Sequence, residues 1–312
     1  MTTSEPLVGD TQIVRTPVSV AIAALKQLRP KQWAKQVFLF AAIVFSRKFL
    51  DPVAVIQVLT GVASFCLLSS SGYILNDYLD READRSHPKK KFRPIASGAL
   101  PVPTAMALLL VCLVGGFAIA ATLGNAFLAI AVLYLATTQS YSFYFKHKVI
   151  LDVMFLASGF VWRAVAGALA IGVAVSPWLF LCTAFVALFL GFNKRRAELI
   201  QLGTESGTRK ALKLYSKSML DQFNAIVTGS TVLCYALYTV QGPTPWLTLT
   251  IPFVLYGIFR YIYLVEQKGA GGAPDETLLR DWPILLTGLL YVVTAAGVLL
   301  AYDAGALPTL IP

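Results

Sequence analysis

The sequence predicts an all-α, polytopic membrane protein whose nine transmembrane helices gather into one bundle. Three observations carry that prediction. Of the 312 residues, 57% are hydrophobic and 13% are charged, whereas an ordinary soluble domain carries roughly 25% charged residues. Apolar runs of about 20 residues, the length that crosses a bilayer, recur along the chain. The 26 Lys and Arg sort almost wholly to one side when those runs are threaded back and forth.

The runs cover about 33–49, 53–75, 102–121, 124–145, 150–171, 176–193, 222–240, 246–265 and 282–302. The first is the weakest, because Arg47 and Lys48 cut it short. Pro177, Pro243, Pro245 and Pro283 stand at or beside helix starts, where proline is tolerated. Arg47 and Lys48 occupy one connection and Arg163 lies inside the fifth run. All other Lys and Arg fall before or at the very start of the first run (Lys35), at 76–101, 146–149, 194–221 and 266–281, or at Arg260 near that end of the eighth. Cytoplasmic loops hold the basic excess in membrane proteins, so the N-terminus and these segments are placed inside and the C-terminus outside. If the first run did not cross, its basic residues would move to the wrong side.

Residues 1–27 read as a cytoplasmic tail, disordered through Thr16, with no removable signal peptide. Residues 28–312 read as a single catalytic domain. The net charge of +10 belongs to membrane topology and to phosphate binding, and no nucleic-acid partner is expected. Cys66, Cys112, Cys182 and Cys234 lie in separate apolar runs without metal spacing, as packing residues do. Gly269-Ala270-Gly271-Gly272 reads as a flexible linker. The connections on the opposite side are short, so chemistry is expected at the basic face.

The end of the second run carries Asn76-Asp77-Tyr78-Leu79-Asp80-Arg81-Glu82-Ala83-Asp84. Asp77, Asp80 and Asp84 stand at i, i+3 and i+7, one face of a helix. Stacked like charges need a cation between them. Mg²⁺ takes oxygen ligands and shares its shell with substrate phosphates, so the ladder suggests a metal–diphosphate site; a solvated acidic helix end is the plainer alternative. Five Lys and Arg follow within 85–93. Such clusters anchor helices to anionic lipid or bind phosphate oxygens. Arg93, fixed beside Pro94, is the phosphate candidate, Lys89 and Lys90 fit lipid anchoring, and His87 reads as structural.

A second charged element, Asn193-Lys194-Arg195-Arg196-Ala197-Glu198, opens the other long loop. A stop-transfer cluster explains the cations but not Glu198, which lies one helical turn from Lys194. Tyr141, Lys146 and Asp152 frame the short connection between the fourth and fifth runs. Asp152 at a helix mouth needs a partner or a ligand, and Arg163, three turns inside, needs an ion pair or a substrate. Arg29 to Lys35 reads as an interfacial belt of Trp and cations, with a phosphate contact as its functional alternative.

Nine helices and the Asn-Asp-x-x-Asp-x-x-x-Asp ladder resemble the UbiA superfamily of intramembrane prenyltransferases, over about 28–302. Most of that superfamily binds prenyl diphosphate through Mg²⁺ at two aspartate-rich motifs. Here Asn193 to Glu198 replaces the second. Arg29-Pro-Lys-Gln-Trp, His87-Pro-Lys, Arg93-Pro-Ile-Ala-Ser-Gly, Tyr141 to Asp152 and Lys194-Arg-Arg-Ala-Glu resemble the decaprenyl-phosphate phosphoribosyltransferase branch. The resemblance implies 5-phosphoribosyl 1-pyrophosphate as donor, polyprenyl phosphate as acceptor and a lipid-open cavity. It also implies a place in the synthesis of cell-wall arabinogalactan.

On that resemblance Asp77, Asp80 and Asp84 hold Mg²⁺, and Asn76 orients the ladder or touches the donor. Arg93, Lys146, Lys194 and Arg195 meet the 5-phosphate and the acceptor phosphate. Asp152 or Glu198 completes a metal or sugar-hydroxyl contact, and Tyr141 belongs to the substrate site. Prenylation of an aromatic quinone precursor is the sister activity. A transporter is the alternative of another class, although transporters place ionisable residues near the midplane. A homo-oligomer is compatible with the bundle.

Overall fold

The computed structural model describes residues 17–202, 210–272 and 274–308, and among these every regular element is helical. Pro17–Gln27 (α1) precedes a 3-10 run, Pro30–Phe40, which passes directly into Ala41–Phe45 (α2). Next come Pro52–Leu79 (α3), Arg81–Arg85 (α4), Val102–Thr122 (α5), Asn125–Phe143 (α6) and Leu151–Ala170 (α7). Pro177–Leu202 (α8), Lys217–Gln241 (α9), Ile251–Lys268 (α10), Pro274–Arg280 (α11) and Trp282–Asp303 (α12) complete the chain.

Among the described residues, eight helices are long and apolar enough to cross a membrane. The predicted first helix at about 33–49 is not one of them. Its place is taken by the composite Pro30–Phe45 segment, with 11 residues of 3-10 helix and five of α-helix. A 3-10 helix rises about 2.0 Å per residue and an α-helix about 1.5 Å, so the segment reaches about 30 Å. It therefore crosses the bundle despite its shortness. Its start meets α3's far end (Arg29 on Asp77), and Lys48, just beyond its end, donates to Ile171 O where α7 ends.

The ladder end of the bundle thus carries Asp77, and the opposite end carries the pair Arg47–Asp303. α1 and the end of α12 lie at opposite ends. Residues 1–16, expected to be disordered, lie outside the described residues. Residues 17–27, placed in the tail by the sequence, form α1 and bury Ala23 and Gln27 against α3 and α5.

Helix starts follow local chemistry. Asp51, before Pro52, accepts from Val53 N; Ser216 accepts from Met219 N; Asp281, before Pro283, accepts from Ile284 N. Each side chain satisfies a backbone donor that the first turn leaves open. Three helices outrun their apolar limits at the ladder end: α3 runs to Leu79, α8 to Leu202, and α9 begins at Lys217. Asn193 to Glu198, expected to open a loop, is therefore helical. Charge there does not end the helix because buried partners meet it.

α7 is the most enclosed crossing, with 61% of its span buried against 17% for α12. It is the axis of the molecule. One apolar core packs the first segment, α3, α6 and α7 together around Phe65 and Phe127; a second joins α7 to α8, α9 and α10 around Phe189 and Tyr261, and a third packs α1, α3 and α5 around Ile74. The first segment touches α7 backbone to backbone, and a Cβ at Gly167 would lie 2.0 Å from Leu39 O. The predicted linker also packs. Ala270–Gly272 forms a 3-10 turn against α8, close enough that a Cβ at Gly271 would meet Ala197 Cβ at 2.7 Å.

Candidate active site

The carboxylate ladder is built where α3 ends. Asp80 closes α3 with φ −88° and ψ 5°, off the helical track. The hydrogen-bond path carries on regardless, from Asp80 N to Asn76 O and from Asp84 N to Asp80 O. The kink splits the three acids. Asp77 and Asp84 turn inward, 3% and 2% exposed, while the Asp80 side chain stays half exposed and approaches Lys146 Nζ at 4.0 Å.

Asp77 is saturated with donors. Arg29 Nη2 reaches its two oxygens at 2.7 and 2.6 Å, Gln27 Nε2 reaches Oδ2 at 2.8 Å and Arg93 Nη1 reaches Oδ1 at 2.9 Å. The same Arg93 Nη1 donates to Asp84 Oδ2 at 2.6 Å, and Lys90 Nζ stands 4.0 Å from Asp84. Arg93 is held for this by the turn behind it. Ser97 N bonds Arg93 O, Leu100 N bonds Pro94 O, and Ile95 and Ala96 are buried as anchors. Lys89 to Phe92 stay exposed, and His87 Nδ1 accepts from the backbone of Lys89 and Lys90.

Beneath the ladder a cleft of about 190 Å³ runs down between α3, α6 and α7. Asn76, Tyr141, Gln139, Tyr73, Lys35 and Arg163 line it, and no carboxylate does. Asn76 Nδ2 donates to Ser142 Oγ at 2.9 Å, fixing α3 to α6. A separate, mostly apolar cavity of about 770 Å³ lies toward the other end, between the first segment, α8, α9 and α12. Phe38 in its wall meets Phe160 in the cleft's wall edge to face, ring centres 5.1 Å apart.

The second charged element is spent internally. Asp152 and Arg195 are 0% and 1% exposed. Arg195 Nε donates to Asp152 Oδ2, Nη1 to Glu198 Oε2 at 2.6 Å and Nη2 to Tyr141 OH at 3.2 Å. Tyr215 OH donates to the other Asp152 oxygen and accepts from Ile150 N, both at 2.7 Å. Burial, and then the bond to Asp152, push the Tyr215 hydroxyl well above its ordinary value. Ile150 is held at φ 68°, a strained setting for a β-branched residue.

Arg195, expected at a phosphate, and Asp152, expected at a metal or sugar contact, are here enclosed by each other, as burial of charge requires. Their joint effect is to hold Tyr141 at the cleft. Glu198 serves the same network, and Lys194 stands half-buried beside it. Arg196, on the far side of α8, pairs with Asp221 and Glu266 and ties α8 to α9 and α10.

Sequence reasoning weighed Arg29 only as a weaker phosphate contact and did not single out Gln27, Gln139 or Tyr215. Arg29 carries one legible signal. The residue before a proline is pressed out of the ordinary helical region, and Arg29 leaves it, although into the left-handed setting at φ 55° rather than the extended one. Tyr215 had none.

Among the described residues no three His, Cys, Asp or Glu side chains gather as a ready metal site. Asp77 and Asp84 nonetheless converge on a single cationic nitrogen, so the space between them is already one that positive charge occupies. The donors are carboxylate oxygens, the type that suits a hard divalent cation. The residues fit such an ion.

A family model, the UbiA prenyltransferase family, matches residues 37–275. The chain belongs to this family. Among its relatives, the decaprenyl-phosphate phosphoribosyltransferase of Corynebacterium glutamicum is 37% identical over 93% of this chain and 91% of that protein. The protein of the same name from Mycobacterium tuberculosis is 32% identical over 90% of this chain and 96% of its own. In structure, the UbiA homolog from Archaeoglobus fulgidus bound to GPP and Mg²⁺ superposes with a TM-score of 0.70, at 18% identity, over 88% of this chain and 99% of that one. The UbiA fold is therefore common to both, and this member is an integral membrane protein.

Proposed function

We propose that this UbiA member transfers 5-phosphoribose from 5-phosphoribosyl 1-pyrophosphate to decaprenyl phosphate, or a similar polyprenyl phosphate, and releases pyrophosphate. The observation that carries the reading is its near full-length similarity to proteins named for that transfer. The chemistry of the site agrees. A donor with phosphates at both ends and an acceptor that is itself a phosphate call for cations, and the cleft is lined by Lys35 and Arg163 without any acid.

In this reading Asp77 and Asp84, joined by Asp80, hold Mg²⁺, which neutralises charge on the departing pyrophosphate. Arg29 and Arg93, poised on Asp77, are within reach of the same phosphates, with Lys146 on the turn after α6 and Lys194 beside the cleft. Asn76 orients the donor. The C1–oxygen bond breaks with its electron pair leaving on pyrophosphate, and an acceptor phosphate oxygen forms the new bond to C1. That oxygen is already anionic, so no general base is required. Arg195 and Asp152 act as positioning residues through Tyr141. The isoprenoid tail occupies the 770 Å³ apolar cavity, past the Phe38–Phe160 pair.

The basic ladder end is assigned to the cytoplasm and the end of α12 to the outside, with 28–312 as one catalytic unit and the product feeding cell-wall arabinan synthesis. Pyrophosphate release from 5-phosphoribosyl 1-pyrophosphate, dependent on added polyprenyl phosphate, is the expected activity. Release from a prenyl diphosphate with an aromatic acid, and none from the phosphoribosyl donor, would overturn the reading.

A further inference from the structure

Arg163 lies eleven residues into α7 from Asp152, about 16 Å along the helix axis, and is 5% exposed. Its Nε donates to Gln36 Oε1 at 2.8 Å, Nη1 to Gly159 O at 2.7 Å and Nη2 to Tyr134 OH at 2.7 Å. The rings of Tyr134 and Phe160 face its guanidinium carbon at 4.7 and 5.5 Å. Every one of these partners is uncharged. Among the described residues no carboxylate pairs with it, unlike Arg29, Arg93, Arg195, Arg196 and Arg260.

A guanidinium buried in a bilayer without an anion is costly, and such groups mark the path of a substrate. Arginine has five N–H donors, and three are used. One remains on each of Nη1 and Nη2, the fork that meets a phosphate with two parallel bonds. Arg163 lines the cleft beneath the ladder together with Lys35. Gln139 lines it too, and its buried Oε1 has no hydrogen-bond partner, an acceptor awaiting a hydroxyl. At about 190 Å³ the cleft is a fraction of the 770 Å³ apolar cavity, a size that suits a phosphate headgroup rather than a polyprenyl tail.

We infer that Arg163, with Lys35, forms a binding site for a phosphate monoester at the floor of the cleft, apart from the diphosphate position at the ladder. This rests on the phosphoribosyl-transfer reading, in which two groups share that chemistry: the donor's 5-phosphate and the acceptor's lipid phosphate. A purely structural cross-tie from α7 to α6 and the first segment is the competing role.

The test compares wild type, Arg163→Lys and Arg163→Gln, purified in nanodiscs, by thermal unfolding and ligand affinity. The probes are ribose 5-phosphate, 5-phosphoribosyl 1-pyrophosphate with Mg²⁺, geranylgeranyl phosphate, geranylgeraniol and magnesium pyrophosphate. In Arg163→Gln, affinity should fall about tenfold or more, one good charged phosphate contact, for the probe that uses the site. Arg163→Lys should recover part of it, and magnesium pyrophosphate and geranylgeraniol should change by less than about twofold. Loss confined to ribose 5-phosphate and the donor assigns the 5-phosphate; loss confined to geranylgeranyl phosphate assigns the acceptor.

Unchanged affinity for every monoester in a folded Arg163→Gln protein would overturn the site. Equal weakening of all probes with a lowered melting temperature would make Arg163 structural. Wild type that binds ribose 5-phosphate but neither full substrate would sink the transfer reading while leaving the monoester site standing. Wild type that binds no monoester would remove the site itself.

Discussion

Asp77 and Asp80 sit three residues apart on one stretch of helix, and their surroundings give them different consequences when mutated. Asp77 balances two arginines from inside the protein; Asp80 is half exposed with one lysine at the limit of contact. Removing Asp77 leaves the partly exposed Arg29 without its carboxylate while Arg93 keeps Asp84, a loss of about 1–3 kcal/mol, below the about 3–5 kcal/mol of a fully buried pair. Asp77→Asn should therefore lower the melting temperature markedly as well as abolish turnover. Asp80→Asn should leave stability within about 0.5 kcal/mol and still reduce turnover by about a hundredfold or more, the scale of losing a charge-stabilising group. Paired unfolding and rate measurements separate the two. Identical stability losses in both would contradict the split geometry. The sequence placed all three acids together because helical spacing alone was legible. It could not show that Asp80 turns aside at the end of α3, since that depends on the local backbone and on Lys146, which approaches from the turn after α6.

Elements meet this site through two contacts that sequence spacing does not encode. At Gly167 the first segment and α7 touch through backbone, so Gly167→Ala must push Leu39 away and should destabilise by several kcal/mol, the range of severe overpacking. Gly229→Ala, with nothing within 4 Å of its Cβ, is the control and should be tolerated. The other contact is Tyr215, which draws the stretch before α9 onto α7 through Asp152 and Ile150. Tyr215→Phe should cost about 1–3 kcal/mol for the acceptor and donor left unmet and slow turnover by loosening Tyr141. The folded protein raises the Tyr215 hydroxyl above its ordinary value near 10. Its stabilising contribution is therefore complete below about pH 10 and is lost as pH rises beyond that. Melting curves from pH 8 to 11 should fall more steeply for wild type than for Tyr215→Phe. Parallel curves would remove Tyr215 from the network.

For the whole molecule, apolar run length and the sorting of Lys and Arg were enough to read the bundle. Eight of the nine predicted crossings stand as regular helices. The first is irregular because its 16 residues reach across only by adopting the longer rise of a 3-10 helix. The second charged element was legible as unusual and illegible in role, since Arg195 and Asp152 are 43 residues apart and meet only in the fold. The proposed sidedness rests on charge and is open to a direct check. Lys89→Cys at the ladder end and Ala304→Cys at the other, in a background without the four native cysteines, should react from opposite sides of intact cells. The cytoplasmic assignment expects only the second to react with an impermeant thiol reagent. Reaction of both, or of Lys89→Cys alone, would contradict it.

The central claim is phosphoribosyl transfer at the ladder, and following the ribose tests it most directly. Purified protein would be mixed with Mg²⁺, polyprenyl phosphate and 5-phosphoribosyl 1-pyrophosphate labelled in the ribose, and the label sought in the organic-extractable lipid. The account predicts transfer that a chelator stops and that Asp80→Asn, still folded, does not support. Label remaining wholly in the aqueous phase, under conditions where the protein turns over a prenyl diphosphate, would contradict it.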